Sequence, residues 1–249
     1  DLNLIANREY ARELFTALIP LKVQWFGLST VLLAHDTELL ELAARSGCKG
    51  LLLGLETINP ASMGDARKQF NRSVDFKELI GALHRHDISV QGCFVFGLDH
   101  DTPEVFDATV DFAISAGVDL PRFAVLTPFP GTPLFARLER EGRILTRDWD
   151  LYDAQHVVFQ PQGMTVQQLA QGHERAWKQV YSWSAIGRRL WHARNFQPLA
   201  LSANIGYRFY AHNLHKFYTC DWPLQTLPKL PTVAMPKPRA PKGPTTVCG

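Results

Sequence analysis

Several things are scarce in this chain, and each scarcity closes off a class of function. No apolar run approaches the roughly 18 residues that a membrane-crossing helix needs. Cysteine occurs four times, at positions 48, 93, 220 and 248, never as CxxC. That spacing excludes a disulfide framework and a self-contained cysteine metal site, and a reducing, cytoplasmic setting is the default. Excess charge is also missing: 26 Lys and Arg stand against 24 Asp and Glu, a formal net charge of +2. Such a balance gives no basis for general nucleic-acid binding. GxGxxG after a strand, GxxxxGK[ST], GxSxG and HExxH are absent, so dinucleotide, P-loop, hydrolase-elbow and zincin chemistry lack their fingerprints. The start, Asp1-Leu2-Asn3-Leu4-Ile5, carries neither an initiator methionine nor a basic region leading into an apolar one. It reads as a position within a longer protein rather than a natural beginning.

What is present is a repeating pattern over the first 140 residues. Asn7 is placed as the N-cap of a helix with Tyr10, Leu14, Ala17 and Leu18 inward, stopped by Pro20. Trp25 to Leu28 reads as a strand, and a helix follows from about Asp36, with Leu39, Leu42 and Ala43 inward and Gly47 at its C′ position. Residues 50–55 are continuously apolar, as expected of a parallel strand covered on both faces. Asp75 and Glu78 form a capping box for a helix carrying Phe76, Leu79, Ile80 and Leu83. Further strands are expected at Val90 to Phe96 and Arg122 to Leu126, separated by a helix that begins at Thr102-Pro103 and buries Phe106, Val110 and Ala113. Strands alternating with helices mean consecutive βα units and a parallel sheet, an α/β fold.

Ligands of such sheets bind beyond the carboxyl ends of the strands. Those ends present Ser29 and Thr30, Glu56 and Thr57, Asp99, and Thr127. The pattern leaves Glu56 open between a ligand role and an ion pair. Asp99 is open between a site carboxylate and a helix cap or ion-pair partner. After a loop-like stretch from residue 143, the chain turns helical and basic from about Thr165 to Tyr218. Between Arg175 and Lys216 it holds seven Lys and Arg and no Asp or Glu, interleaved with Trp177, Trp183, Trp191, Phe196, Tyr207, Phe209 and Tyr210. Two readings stand: a helical cap with aromatics packed inward and solvated arginines, or a surface for membrane or anionic ligand. His212 and His215 read as a surface pair. From Leu227 the chain is rich in proline, lysine and threonine, the composition of a disordered tail.

In order along the chain stand Trp25-Phe26-Gly27-Leu28-Ser29-Thr30, Leu53-Gly54-Leu55-Glu56-Thr57, Gly92-Cys93-Phe94-Val95-Phe96-Gly97-Leu98-Asp99 and Leu126-Thr127-Pro128-Phe129-Pro130-Gly131-Thr132-Pro133-Leu134. This series resembles the radical S-adenosylmethionine (SAM) superfamily, in the branch with an N-terminal cobalamin (B12)-binding domain, over roughly residues 1–220. The resemblance implies an incomplete parallel (β/α)6 partial barrel with a mainly helical C-terminal extension. It divides the chain into a partial core at 1–142, a basic and aromatic extension at 143–225 and a tail at 226–249. It implies SAM and a 4Fe–4S cluster as cofactors, with cobalamin in a preceding domain. The CxxxCxxC loop whose three thiolates hold such a cluster does not occur in this sequence. By resemblance, Glu56 contacts the SAM ribose, and Phe94, Gly97 and Val125 shape the adenine site.

The function implied is the C-terminal portion of a radical SAM enzyme, methylating an unactivated carbon of a small, hydrophobic, lipid-like substrate. An electron donor such as a reductase, and peripheral contact with the inner membrane face, accompany it. The alternative is a truncated, non-catalytic fragment with at most a binding role, since without CxxxCxxC this chain is expected to be inactive alone. An ordinary barrel enzyme with Glu56 and Asp99 as acid and base is the third possibility. A sheet lacking its first strands also leaves an open edge, which predicts association through that edge.

Overall fold

The computed structural model describes residues 3–62, 75–192 and 198–217. Helix α1 (Arg8–Leu18) leads to strand β1 (Trp25–Ser29), α2 (Thr37–Arg45) and β2 (Cys48–Glu56). Then come α3 (Phe76–Arg85), β3 (Ser89–Phe96), α4 (Glu104–Ser115), β4 (Arg122–Val125) and α5 (Pro133–Arg140). Four more helices follow: α6 (Val166–Val180), α7 (Trp183–His192), α8 (Pro198–His212) and the short α9 (Leu214–Phe217). The strands form one parallel sheet in the order β1-β2-β3-β4. An α/β fold of successive βα units is therefore what the alternating pattern builds.

Local chemistry sets the element ends. Asn7, Asp36, Asp75 and Thr132 each accept a backbone N–H in the first turn of the helix they precede, satisfying donors with no partner inside the helix. Gly47 follows α2 with φ of +96°, and a Cβ there would strike the Val23 carbonyl, so only glycine fits this turn. Thr165 and Gln168 form a reciprocal capping box at α6.

Two expectations about burial are corrected. In α1 the buried residues are Ala11 and Phe15, while Tyr10 is exposed. The inward face is rotated by one residue because Phe15 stacks on Trp25. Strand β2 is not sealed on both faces. Leu51, Leu53 and Leu55 are buried, but Leu52 and Gly54 on the other face are only half-buried. The helix-covered face is an aromatic layer in which Phe94, Phe96 and Phe123 meet Phe106 and Phe112. The opposite face carries Phe26, Leu28, Leu52 and Gln91, and these line an apolar cleft of about 200 Å³.

The two sheet edges differ. On β1, Leu4 N–H donates to Leu28 C=O at 3.1 Å, while Phe26 remains 62% exposed. On β4 the carbonyls that would face solvent are taken by side chains of α6 and the residue after it. Trp177 Nε1–H donates to Phe123 C=O at 3.2 Å, with His173 Nε2 beside it at 3.2 Å. The Tyr181 hydroxyl donates to Pro121 C=O at 2.8 Å. Val125 N–H in turn donates to Ala154 C=O at 2.8 Å. The bland cap reading is thus half right. Trp177, Tyr181, Tyr207 and Tyr210 pack as one stack against this edge. The arginines are not all solvated. Arg189 is 1% exposed, lies over the Tyr181 ring, and donates to Val180 C=O and to Asn204 Oδ1. The residues of the expected tail at 226–249, with Cys220, Cys248, Arg194 and Phe196, lie outside the described residues.

Candidate functional site

The carboxyl ends of the four strands bring Thr30, Glu56, Gly97 and Thr127 to one rim, held in line by the parallel register. Glu56 is the residue of interest. The register between β2 and β3 shifts across Gly54 to Glu56, leaving Leu55 as a bulge. Glu56 takes φ of +64°, a left-handed conformation that costs a residue with a side chain about 1–2 kcal/mol. Lys22, Asp87 and Ala154 share this conformation, so it is the position of Glu56 at a strand-end bulge on the rim that makes its carboxylate the candidate. Its neighbour Gly97 has φ of +95°, and a Cβ at that position would press on Leu169 and Phe159. Its bare backbone follows directly from β3.

The other two residues singled out by resemblance sit differently. Phe94 and Val125 are each 1% exposed and belong to the helix-covered aromatic layer. Cys93, Val95 and Ala124, which alternate with them, are the half-buried residues of these strands. The side chains of Phe94 and Val125 therefore face the helix layer and not the open face of the sheet.

Asp99 is bound in an ion-pair network. Arg137 Nη1 donates to it at 2.5 Å and Arg143 Nη2 at 2.9 Å. Burial raises its carboxyl pKa, but the two guanidinium groups outweigh burial and hold it below the usual carboxylate range. That excludes Asp99 as the acid of a paired-carboxylate mechanism and gives it a structural role. The carboxylate that organises the rim is two residues on. Asp101 is fully buried and accepts Gly97 N–H at 3.1 Å, Leu98 N–H at 3.0 Å and the Ser62 hydroxyl at 2.7 Å. It ties the turn after β3 to the segment after β2, so that Gly97 and Glu56 are positioned together. Desolvation outweighs these hydrogen bonds and pushes its pKa up.

A second pair went unrecognised in the sequence. His156 Nδ1 lies 3.1 Å from both carboxylate oxygens of Asp153. Asp153 also accepts the backbone N–H of Gln155 and His156. Burial opposes ionisation, but these hydrogen bonds prevail and lower its pKa. The ionised Asp153 holds the His156 ring through Nδ1. Ala154, between them, anchors the loop to Val125 at the end of β4. The signal available in the sequence was the D-x-x-H spacing.

Among the described residues no three His, Cys, Asp or Glu are grouped to hold a metal ion. Burial pushes the Cys48 thiol up to about 12, far from a thiolate ligand. These residues do not fit an iron–sulfur cluster. The Glu56 carboxylate at the rim is a group that can accept hydrogen bonds from a diol, whereas Gly97 is buried with its N–H held by Asp101.

The chain is similar to several known proteins. A family described as "Domain of unknown function (DUF4070)" matches residues 132–224. Bacteriochlorophyllide d C-12(1)-methyltransferase of Chlorobaculum tepidum is 35% identical over 190 residues, covering 76% of this chain and 41% of that protein. Hopanoid C-2 methylase of Rhodopseudomonas palustris is 31% identical over 158 residues, covering 59% and 29%. A solved structure, the radical SAM methyltransferase TsrM of Kitasatospora setae with cobalamin and a 4Fe–4S cluster bound, matches 56% of this chain and 27% of that chain at 18% identity and a TM-score of 0.49. The chain spans less than half the length of each of these relatives.

Proposed function

From its homology to radical SAM methyltransferases of the cobalamin-binding branch, we infer that this chain is the C-terminal portion of such an enzyme. It supplies the nucleoside-binding rim of an enzyme that methylates a carbon of a small apolar molecule at the expense of SAM. Similarity to methylating enzymes named for bacteriochlorophyllide d and a hopanoid supports an apolar substrate. The observation that carries the reading is Glu56, held in a left-handed conformation at a strand-end bulge.

Each residue of the rim then has a task. Glu56 accepts hydrogen bonds from the ribose hydroxyls of SAM. Gly97, buried and without a Cβ, lets Leu169 and Phe159 pack against the end of β3 and so fixes the rim backbone. Phe94 and Val125 hold their strands against the helix layer so that this backbone stays in place. Asp153 orients the His156 ring near the end of β4. SAM would supply the methyl group from one molecule and, from a second molecule cleaved with an electron from the donor, the adenosyl radical, leaving S-adenosylhomocysteine and methionine. Thiolates for an iron–sulfur cluster, and a cobalamin domain, belong in this reading to the rest of the protein. So does the site for an electron donor, and residues 1–249 by themselves would be inactive. The reading keeps the division into a core at 1–142, an extension at 143–225 and a tail at 226–249. It also sets the enzyme in the cytoplasm, at the inner membrane face where an apolar substrate resides.

Glu56→Gln in the whole protein tests this. The carboxamide keeps the shape and loses the charge-assisted hydrogen bonds, so SAM affinity in equilibrium dialysis should fall about tenfold to a hundredfold. Unchanged affinity would remove Glu56 from the site.

A further inference from the structure

Helices α7 and α8 pack antiparallel, with Arg189 meeting Asn204 and Trp183 meeting Arg208. The periodicity of α7 is sharp. Ala185, Ile186, Arg189 and Leu190 are buried, while Trp183, Ser184, Gly187, Arg188 and Trp191 are exposed. Trp183 is 59% exposed and Trp191 88%. On α8, Ile205 and Phe209 are 46% and 60% exposed, four residues apart and on one face. The Arg208 guanidinium lies 4.7 Å over the Trp183 ring and joins the two stripes. At about 200 Å² for a large side chain, these four residues expose roughly 500 Å² of apolar surface, at the upper end of what a monomer normally shows. The nearby cations Arg188 and Arg208 stand in a stretch without a single acidic residue from Arg175 to Lys216. Arg175 and Lys178, by contrast, engage Asp107 and Glu174 toward α4 and belong to another face.

We propose that this α7–α8 face docks on the surface of a bilayer containing anionic lipid. Trp183, Trp191, Ile205 and Phe209 enter the headgroup and acyl boundary, and Arg188 and Arg208 meet lipid phosphates. Tryptophan suits that boundary because an apolar ring and a polar N–H are satisfied at once. No helix among the described residues is long and apolar enough to cross the membrane, so the contact is peripheral. A second copy of the chain fits this face less well, since a two-fold contact would set Arg188 and Arg208 against their own like charges. The proposal deepens the functional reading by naming the surface through which an apolar substrate is reached. Its test reads lipid binding and not turnover, so either can fail while the other stands.

The test is flotation of the whole protein with phosphatidylcholine vesicles, with and without phosphatidylglycerol, followed by tryptophan emission. Binding is expected only with the anionic lipid, with a blue shift, and it should weaken as salt shortens the Debye length to a few ångströms at about 1 M. Arg188→Glu should lower partitioning about 25-fold, a factor of about five for each charge removed or added near the surface. Trp191→Ala, at a position too exposed to disturb folding, should lower it at least about tenfold. Equal partitioning of Trp191→Ala and the parent would overturn the proposal, as would equal binding to neutral vesicles. A sedimentation result in which Trp191→Ala abolishes self-association while vesicle binding is absent would overturn it in favour of a second copy.

Discussion

Replacing Asp101 with alanine would strand three donors at once: the N–H groups of Gly97 and Leu98 and the Ser62 hydroxyl. Asp101 and Ser62 are both fully buried, so solvent does not take over these bonds without local opening. Each unmade buried hydrogen bond costs about 1–3 kcal/mol, and three with partial relaxation give a loss of about 4 kcal/mol. Asp101→Asn behaves differently. Its carboxamide oxygen can keep both backbone donors, and the Ser62 hydroxyl can turn to accept from the new NH2 group. Loss of charge assistance is then offset by relief of the desolvation that raises this carboxyl pKa, leaving a net cost of about 1 kcal/mol. Amide hydrogen exchange at Gly97 and Leu98 in the whole protein reads this locally. Acceleration of about a thousandfold is expected for alanine and about fivefold for asparagine. Equal effects of the two substitutions would refute the reasoning, because they would mean that charge, and not the count of acceptors, holds the turn.

Two further outcomes follow from the rim. Glu56→Gly should relieve the left-handed strain and raise stability by about 0.5–1 kcal/mol while weakening SAM retention. A lower apparent Tm for this variant would show that the Glu56 side chain supports the fold more than its conformation costs. The Asp99 network has the opposite pH response to Asp101. The Asp99 pKa is lowered in the fold, so its stabilisation is present above the unfolded value of about 3.9 and is lost as pH falls through the folded one. Comparing parent and Asp99→Asn by urea unfolding should show a difference at neutral pH that vanishes in acid; a difference independent of pH would contradict the assignment.

The order of elements was legible because periodicity and capping are local. Asn7, Asp36 and Asp75 announce their helices, and Gly47 and Gly117 end theirs. Helix α5 was missed, since Thr132 and Pro133 read equally as part of a proline-broken loop. Which face of β2 is open was not legible. Its leucines are equally apolar, and only the placement of the helices over Leu51, Leu53 and Leu55 distinguishes them from Leu52. At the rim, Glu56 could be found from its place after a strand, but Asp99 drew attention that Asp101 warranted. The two differ in partners supplied from 38 and 44 residues later in one case, and from 39 residues earlier in the other. Trp177 likewise read only as one aromatic among several in a basic stretch, and Tyr181 was not singled out. Their donation to carbonyls 54 and 60 residues away depends on how α6 docks, which no local pattern encodes.

The asymmetry of the two sheet edges makes the sheet polar as an assembly. At β4 the indole and phenol groups of α6 and Tyr181 occupy the acceptors a further strand would need, so that side is terminated chemically and not merely by lack of chain. At β1, Phe26 and Leu28 still offer an adhesive surface beside one backbone bond from Leu4. Any strand recruited to this sheet, from the same polypeptide or another, is directed to one side only. The C-terminal helices are the stop at β4, and growth of the sheet is confined to β1.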